Sequence, residues 1–202
     1  LKGVVVPQLD ELDTLSHQSG RVNTLVRQGR QWKGINTDGP AAVLAMGGEA
    51  ALHGKRVVVL GAGGVGLPVA LACEQAGAHV ILLAREPQQV PEICQNLIQV
   101  EAISSWPEWA LLADWIVQAT TCGFLDEQLP VDPSLLDGQN VVEFIQKETP
   151  FSRGARARRC HVVGGVEIFV HLSMMQADLW SEGATSHLWS SFESGLRGVV
   201  CP

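Results

Sequence analysis

The sequence predicts an open, doubly wound α/β sheet, and three observations carry that expectation. Residues 56–61, Arg-Val-Val-Val-Leu-Gly, form a β-branched apolar run that stops at glycine, the pattern of a central parallel strand buried on both faces. A glycine-rich turn and a helical stretch from Val65 to Ala76 follow, and then a second apolar run over 78–84. Strand, turn, helix and strand within about thirty residues make a βαβ unit, and a sheet built from such units carries its ligand crevice at the carboxyl ends of its strands.

A helix is expected over 3–18. Two short strands at 22–26 and 32–36, joined through Gln28-Gly29-Arg30, read as a hairpin. A helix over 39–52 bridges to the sheet. Pro68 is tolerated after Val65 because the first helical turn leaves amide donors free anyway. Beyond the βαβ unit come a helix over 91–97, a strand over 98–103, and a strand over 114–119 that runs into Thr120-Thr121-Cys122-Gly123. A strand at 139–145, a helix opened by Thr149-Pro150 and ending near Arg159, and a strand at 160–163 ending in Gly164-Gly165 continue the alternation. Helices over 167–182 and 187–197 close the chain.

Composition bounds the function. The chain has 202 residues, 46% hydrophobic and 17% charged, which suits one globular domain or a domain and a half. No apolar run reaches the roughly 18 residues of a membrane span, and no signal peptide opens the chain, so a cytoplasmic protein is expected. The formal charge of −7 argues against a nucleic-acid surface, whose affinity comes from neutralising phosphates. The one basic cluster, Arg153, Arg156, Arg158 and Arg159, reads as the polar face and last turn of a short helix. Cysteines at 73, 94, 122, 160 and 201 show neither CxxC nor a histidine at ligand spacing, so no metal site and no disulfide framework is expected. The first residue is Leu1, not Met, which is read as the start of a fragment or of a module from a longer polypeptide.

Gly61-Ala62-Gly63-Gly64-Val65-Gly66 is a GxGxxG placed after a buried strand and at the opening of a helix. The first glycine permits the tight turn, the second lets backbone approach a pyrophosphate, and the third lets helix and strand pack closely; the pyrophosphate then sits on free amides at the positive helix end. This is the Rossmann pattern, and it implies a dinucleotide. At the end of the next strand the position that usually holds an acidic residue for a ribose hydroxyl is Ala84, followed by Arg85. A guanidinium matches a phosphate, so NADP is expected over NAD. Glu86 is a complication, since a carboxylate turned inward would repel the 2′-phosphate.

Gly20-Arg21-Val22-Asn23-Thr24-Leu25-Val26, followed by Gly34-Ile35-Asn36-Thr37-Asp38-Gly39, resembles the shikimate and quinate dehydrogenase family, which shows G-x-V-N-T-L-V and then G-x-N-T-D-G. The glycine loop, Ala84-Arg85-Glu86, and Ala113-Asp114 through Gly123-Phe124 follow in the family's order. The resemblance implies a smaller α/β substrate domain beside the Rossmann-like sheet. On that resemblance residues 1–38 are expected to be its remnant, with the part before it missing. Residues 39–182 are the dinucleotide-binding domain with its linking helix, and 183–202 a C-terminal helix and tail packing back on the substrate domain. It implies NADPH-dependent, reversible reduction of 3-dehydroshikimate or a related polyhydroxy ring acid, with a small-molecule substrate and a missing N-terminal segment, fused or complementing. In that family the catalytic pair is a lysine and the aspartate of N-T-D-G, which the resemblance puts at Asp38 here. Two placements compete for the lysine. Pro7-Gln8-Leu9 looks like the family's P-x-K with leucine for lysine, whereas Lys2 keeps the following helix in ungapped register and is preferred.

By the same resemblance Asn23 donates and accepts hydrogen bonds at substrate hydroxyls, with Gln146 a second substrate contact. Thr120, Phe144 and Gly165 join Gly61–Gly66, Ala84 and Arg85 around the cofactor. Plain structural readings stand beside these: Asp38 as a helix N-cap, Asn23 as a turn amide, Gly165 as an ordinary turn glycine, Lys2 as a solvated end. The chain departs from the family at three places. It has no tyrosine, so Glu143-Phe144-Ile145-Gln146-Lys147-Glu148-Thr149-Pro150 offers only Gln146 where the family has one. Leu172 stands for the glutamine seven residues after Gly165, with Gln176 one turn later on the same face, and Gln118 replaces the asparagine of N-A-T. Two functions follow: an NADP-dependent dehydrogenase, or a catalytically idle nucleotide-binding module of a larger protein.

Overall fold

The computed structural model describes residues 2–183 and 189–200. A 3-10 turn (Val6–Gln8), strand β1 (Glu11–Leu12) and helix α1 (Thr14–Ser19) lead into the hairpin β2 (Thr24–Gln28) and β3 (Gln31–Ile35). β3 runs antiparallel to β2 and parallel to β1, giving a three-stranded sheet. The helix expected over 3–18 is therefore confined to its last turns. Asp13 caps α1, its side chain accepting from Ser16 N at 2.8 Å. The residues before it pair with β3 instead, Asp10 N donating to the Trp32 carbonyl and Asp13 N to the Gly34 carbonyl, each at 3.0 Å.

The helix expected over 39–52 is split into α2 (Asp38–Ala45) and α3 (Glu49–Leu52). Gly47 and Gly48 between them hold φ of 98° and 81°, a left-handed turn that ends a helix and that glycine adopts without strain. The larger sheet then begins. Its elements are β4 (Arg56–Leu60), α4 (Gly66–Gln75), β5 (His79–Ala84), α5 (Glu92–Gln95), β6 (Gln99–Ala102), α6 (Trp106–Ala110), β7 (Trp115–Gln118), β8 (Asn140–Glu143), α7 (Pro150–Ala157), β9 (His161–Val163), α8 (Gly165–Trp180) and α9 (Trp189–Val200). Neither β1 nor α6 was expected. The strand expected over 139–145 ends at Glu143, and the final helix, expected over 187–197, covers 189–200; residues 184–188 of that region lie outside the described residues, as does Cys201.

Six parallel strands lie in the order β6-β5-β4-β7-β8-β9. The order reverses at β4, so the crevice between β4 and β7 is the topological switch point where such sheets bind ligands. Register brings Leu60 level with Gln118, and Gln118 level with Glu143, so three strand ends share one rim. Alternation along β4 divides the core. Val57 and Val59 pack with α2, α4 and α8 on one face, while Val58 and Leu60 pack with Trp106, Ala110, Phe151 and Ala155 on the other. All four strand residues are fully buried, each stabilising the fold by about 1.5–3 kcal/mol relative to exposure.

The arginine cluster runs from the middle of α7 to just beyond its end. Arg153, Arg156 and Arg159 pair with Glu127, Glu148 and Asp137 at 3.2, 2.9 and 2.6 Å, and these exposed pairs contribute little to stability. Cys73, Cys94 and Cys160 are buried, and burial pushes the Cys73 thiol up to about 12. Among the described residues no helix is long and apolar enough to cross a membrane, and no cluster of three metal-ligating side chains occurs.

Candidate active site

The glycine loop follows β4 and opens α4. Gly61 holds φ of 100°, and a Cβ on Gly66 would run into the Gly61 carbonyl, so turn and helix start can be this close only with glycine at both positions. α4 has no side-chain cap. The amides of Ala62, Gly63, Gly64 and Val65 meet no hydrogen-bond acceptor among the described residues, and a Cβ on Gly63 would point into open space. Free amides at a ten-residue helix's positive end, open to the cleft at Gly63, fit a pyrophosphate. Thr120 stands across the switch point, its methyl 2.9 Å from a Cβ built on Gly61. Its amide is held by Gln118 Oε1 at 2.6 Å, and Gln118 Nε2 donates to the Cys122 carbonyl at 3.2 Å. Gln118 is fully buried, and both ends of its amide are occupied in shaping this loop.

Ala84 is buried at the end of β5, and Arg85 beyond it is exposed without an ion pair among the described residues. The Glu86 carboxylate is engaged by Gln89 Nε2.

On the other side of the cleft the Lys2 ammonium meets the Asp38 carboxylate. Lys2 is anchored by its backbone, its carbonyl accepting from Val22 N at 3.0 Å. Its methylenes lie against the glycine loop, 3.4 Å from a Cβ built on Gly64, so the pair sits at that loop's edge. Asp38 is only 5% exposed. It is the first residue of α2 and not its cap: Asn36 Oδ1 accepts from Asp38 N at 3.1 Å and Gly39 N at 3.3 Å, which leaves the Asp38 carboxylate free for Lys2.

Asn23 is tied to the same helix start. Its Oδ1 accepts from Thr37 N (2.9 Å), Thr24 Oγ1 (3.0 Å) and Thr37 Oγ1 (3.2 Å), and its Nδ2 donates to Thr37 Oγ1 at 3.0 Å. The expected acceptor role is therefore taken up inside the protein, and only the second Nδ2 hydrogen is free among the described residues. Asn23 and Lys2 border one cavity of about 440 Å³, whose other walls include Val4, Val5, Val22 and Leu25. A second cavity, about 560 Å³ between the β2–β3 hairpin and the end of α8, touches none of the expected site residues.

The remaining expected residues follow β8. Glu143 is buried and accepts from Thr149 Oγ1 at 2.6 Å and Ile145 N at 3.1 Å. Burial pushes its carboxyl above the usual range, against the pull of those two hydrogen bonds. Phe144 packs on the core face shared with α8. Gln146 is exposed and shares no hydrogen bond with Lys2, Asn23 or Asp38. A Cβ on Gly165 would fall 2.5 Å from the Phe144 carbonyl oxygen and 2.9 Å from Gln146 N, a packing reason for glycine there. Leu172 packs against the core, while Gln176 reaches Thr24. Asn36, Thr37 and Thr24 were not singled out from sequence; their signal was the polar run inside the two asparagine motifs.

A family model described as "Putative NAD(P)-binding" matches residues 50–129. A shikimate dehydrogenase (NADP(+)) from Desulfitobacterium hafniense (strain Y51) is 30% identical over 190 residues, covering 90% of this chain and 70% of the relative. The shikimate 5-dehydrogenase of Thermus thermophilus, solved in complex with NADP(H) and shikimate, superimposes with a TM-score of 0.79 at 26% identity, over 98% of this chain and 75% of that one. The quinate dehydrogenase of Corynebacterium glutamicum, solved in complex with NAD, gives 0.79 at 26% identity, over 96% and 74%. With these sequence motifs, this strand order and this coverage, the chain belongs to the shikimate dehydrogenase family.

Proposed function

We propose that this chain is an NADP-dependent dehydrogenase that interconverts shikimate and 3-dehydroshikimate, with Lys2 and Asp38 as its proton-handling pair. The observation that carries the reading is the Lys2–Asp38 contact at the edge of the glycine loop. A proton donor and acceptor there support a reading in which the nicotinamide end of a dinucleotide on Gly61–Gly66 faces a substrate beside them. Residues 1–38 are taken as the substrate side, 39–182 as the cofactor side, and 183–202 as a tail returning to the substrate side. When bound, the dinucleotide supplies hydride exchange with the ring carbon that carries the reacting oxygen.

The protein's own residues do the rest. The free amides of 62–65 and the N-terminus of α4 hold the pyrophosphate. Arg85, exposed and unpaired among the described residues, takes the 2′-phosphate, while Gln89 draws the Glu86 carboxylate to itself. In the reducing direction the Lys2 ammonium hydrogen-bonds the carbonyl oxygen and gives it a proton as that carbon is reduced; in the oxidising direction the neutral amine takes the hydroxyl proton back. The Asp38 carboxylate holds the ammonium in place and balances its charge. Asn23 donates its one free amide hydrogen to a substrate hydroxyl. Thr120, Phe144 and Gly165 line the nicotinamide end, and Gln146 contacts substrate once the cleft is filled.

The test is NADPH formation from shikimate and NADP, beside a titration of NADP. Turnover with the wild type and its loss in Lys2→Ala, with NADP affinity unchanged, supports the reading; Lys2→Ala turning over at the wild-type rate refutes it. A second reading, an idle nucleotide-binding module, is favoured by Leu172 packed against the core where the family has a glutamine. It is supported if NADP binds and no member of the shikimate–quinate series is oxidised.

A further inference from the structure

Helix α8 belongs to the cofactor side, yet it grips the substrate-side strand β2 at two points one turn apart. Gln176 Nε2 donates to Thr24 Oγ1, and Trp180 Nε1 donates to the Leu25 carbonyl, both at 3.0 Å. The first contact has a direction. An amide nitrogen only donates, so the Thr24 hydroxyl accepts from Gln176 and turns its own hydrogen onward. Asn23 Oδ1, at 3.0 Å, is the nearer acceptor, with Thr37 Oγ1 at 3.3 Å. Thr37 N, a donor of fixed identity, approaches Asn23 Oδ1 as well, which settles which end of the Asn23 amide is oxygen. Nδ2 then points its hydrogens to Thr37 Oγ1 and away from it. Asn23 borders, with Lys2, the 440 Å³ cavity. A relay runs from the far helix to that amide: Gln176 N–H to Thr24 O–H to Asn23.

We propose that Gln176 is a positioning residue, holding in place through Thr24 the Asn23 amide that Thr37 N orients, so that its free amide hydrogen stays presented beside Lys2. This rests on the reading of Asn23 as a substrate contact. Leu172, packed against the core on the same helix, cannot take this part. Gln176 thereby couples α8 to the substrate side without touching substrate.

The experiment combines steady-state kinetics with the Asn23 side-chain amide signal in a ¹⁵N NMR spectrum, assigned through Asn23→Ala. Gln176→Leu is expected to raise KM for shikimate about fivefold, the loss of one hydrogen bond, with kcat and NADP affinity kept, and to shift the Asn23 signal. In a Thr24→Val background, Gln176→Leu should add nothing to KM and leave the signal where Thr24→Val puts it. Trp180→Phe, which loosens the neighbouring contact alone, should leave the signal in place and controls for general slackening of α8. An unchanged KM, an undiminished effect in the Thr24→Val background, or an Asn23 signal that moves equally in Trp180→Phe overturns the proposal. If the wild type does not oxidise shikimate, the function reading fails on its own. The signal then decides the relay: a shift in Gln176→Leu that Trp180→Phe does not reproduce supports it, and no shift overturns it.

Discussion

Helices α4 and α2 both begin at the cleft, and they treat their free N-terminal amides in opposite ways. α4 starts with no cap, and the four amides of residues 62–65 face no acceptor among the described residues. α2 starts beneath Asn36, whose side-chain oxygen takes the amides of Asp38 and Gly39. An orphan helix start is a site for an anion. A start capped by a preceding side chain leaves the carboxylate in its first turn uncommitted, and here that carboxylate reaches Lys2. Under the proposed function the difference separates a site made of backbone, which holds a ligand, from a site made of side chains, which moves a proton.

Breaking the side-chain site should have the largest effect. Lys2→Ala and Asp38→Asn should each lower kcat by about 10²–10⁴, the usual worth of general acid–base catalysis. NADP affinity should stay the same, which steady-state rates and a cofactor titration check together. Breaking the backbone site comes next. Gly66→Val puts a side chain onto the Gly61 carbonyl and should cost about 3 kcal/mol of stability, read from urea midpoints, with NADP binding abolished. Arg85→Ala should weaken NADP by about 2 kcal/mol, the scale of a charged hydrogen bond, and leave NAD unchanged; an equal loss for both removes the 2′-phosphate role.

Two smaller effects sharpen the comparison. Asn36→Ala uncaps α2 and should cost about 1 kcal/mol. It should also lower kcat, because the Asp38 carboxylate can then turn back to the bare amides. A stability loss with kcat unchanged would show that the cap and the catalytic pair are independent. The smallest concerns Glu143, whose carboxyl burial raises above its unfolded value. A raised acid binds its proton more tightly in the folded state, so its contribution is present below the unfolded carboxylate pKa and is lost as pH rises through the folded one. Denaturation from about pH 4 to pH 7 should therefore move the stability difference between wild type and Glu143→Gln in the variant's favour. A difference that is flat with pH would contradict this.

What could be read from the sequence divides along the same line. The strands around 56–61 and 78–84 and the loop at 61–66 were legible because β-branched runs and glycine spacing act over a few residues. The helix expected over 3–18 failed because Asp10 and Asp13 are pulled into pairing with Trp32 and Gly34, some twenty residues on, which local pattern cannot register. The asparagine motifs marked Asn23 and Asp38, but not that Thr37 and Thr24 would occupy the Asn23 oxygen. They gave no hint that Gln176, on the last long helix of the larger domain, would reach Thr24. Side-chain sites depend on partners brought in by the fold, and such partners carry no spacing.

The central claim is that the backbone cradle of α4 and the Lys2–Asp38 pair act on one hydride transfer. It is tested most directly by mixing the protein with 3-dehydroshikimate and NADPH carrying deuterium at both C4 positions of the nicotinamide, then weighing the product. Shikimate heavier by one deuterium is expected, formed by the wild type and formed far more slowly by Lys2→Ala. No product, or shikimate without the label, would contradict it.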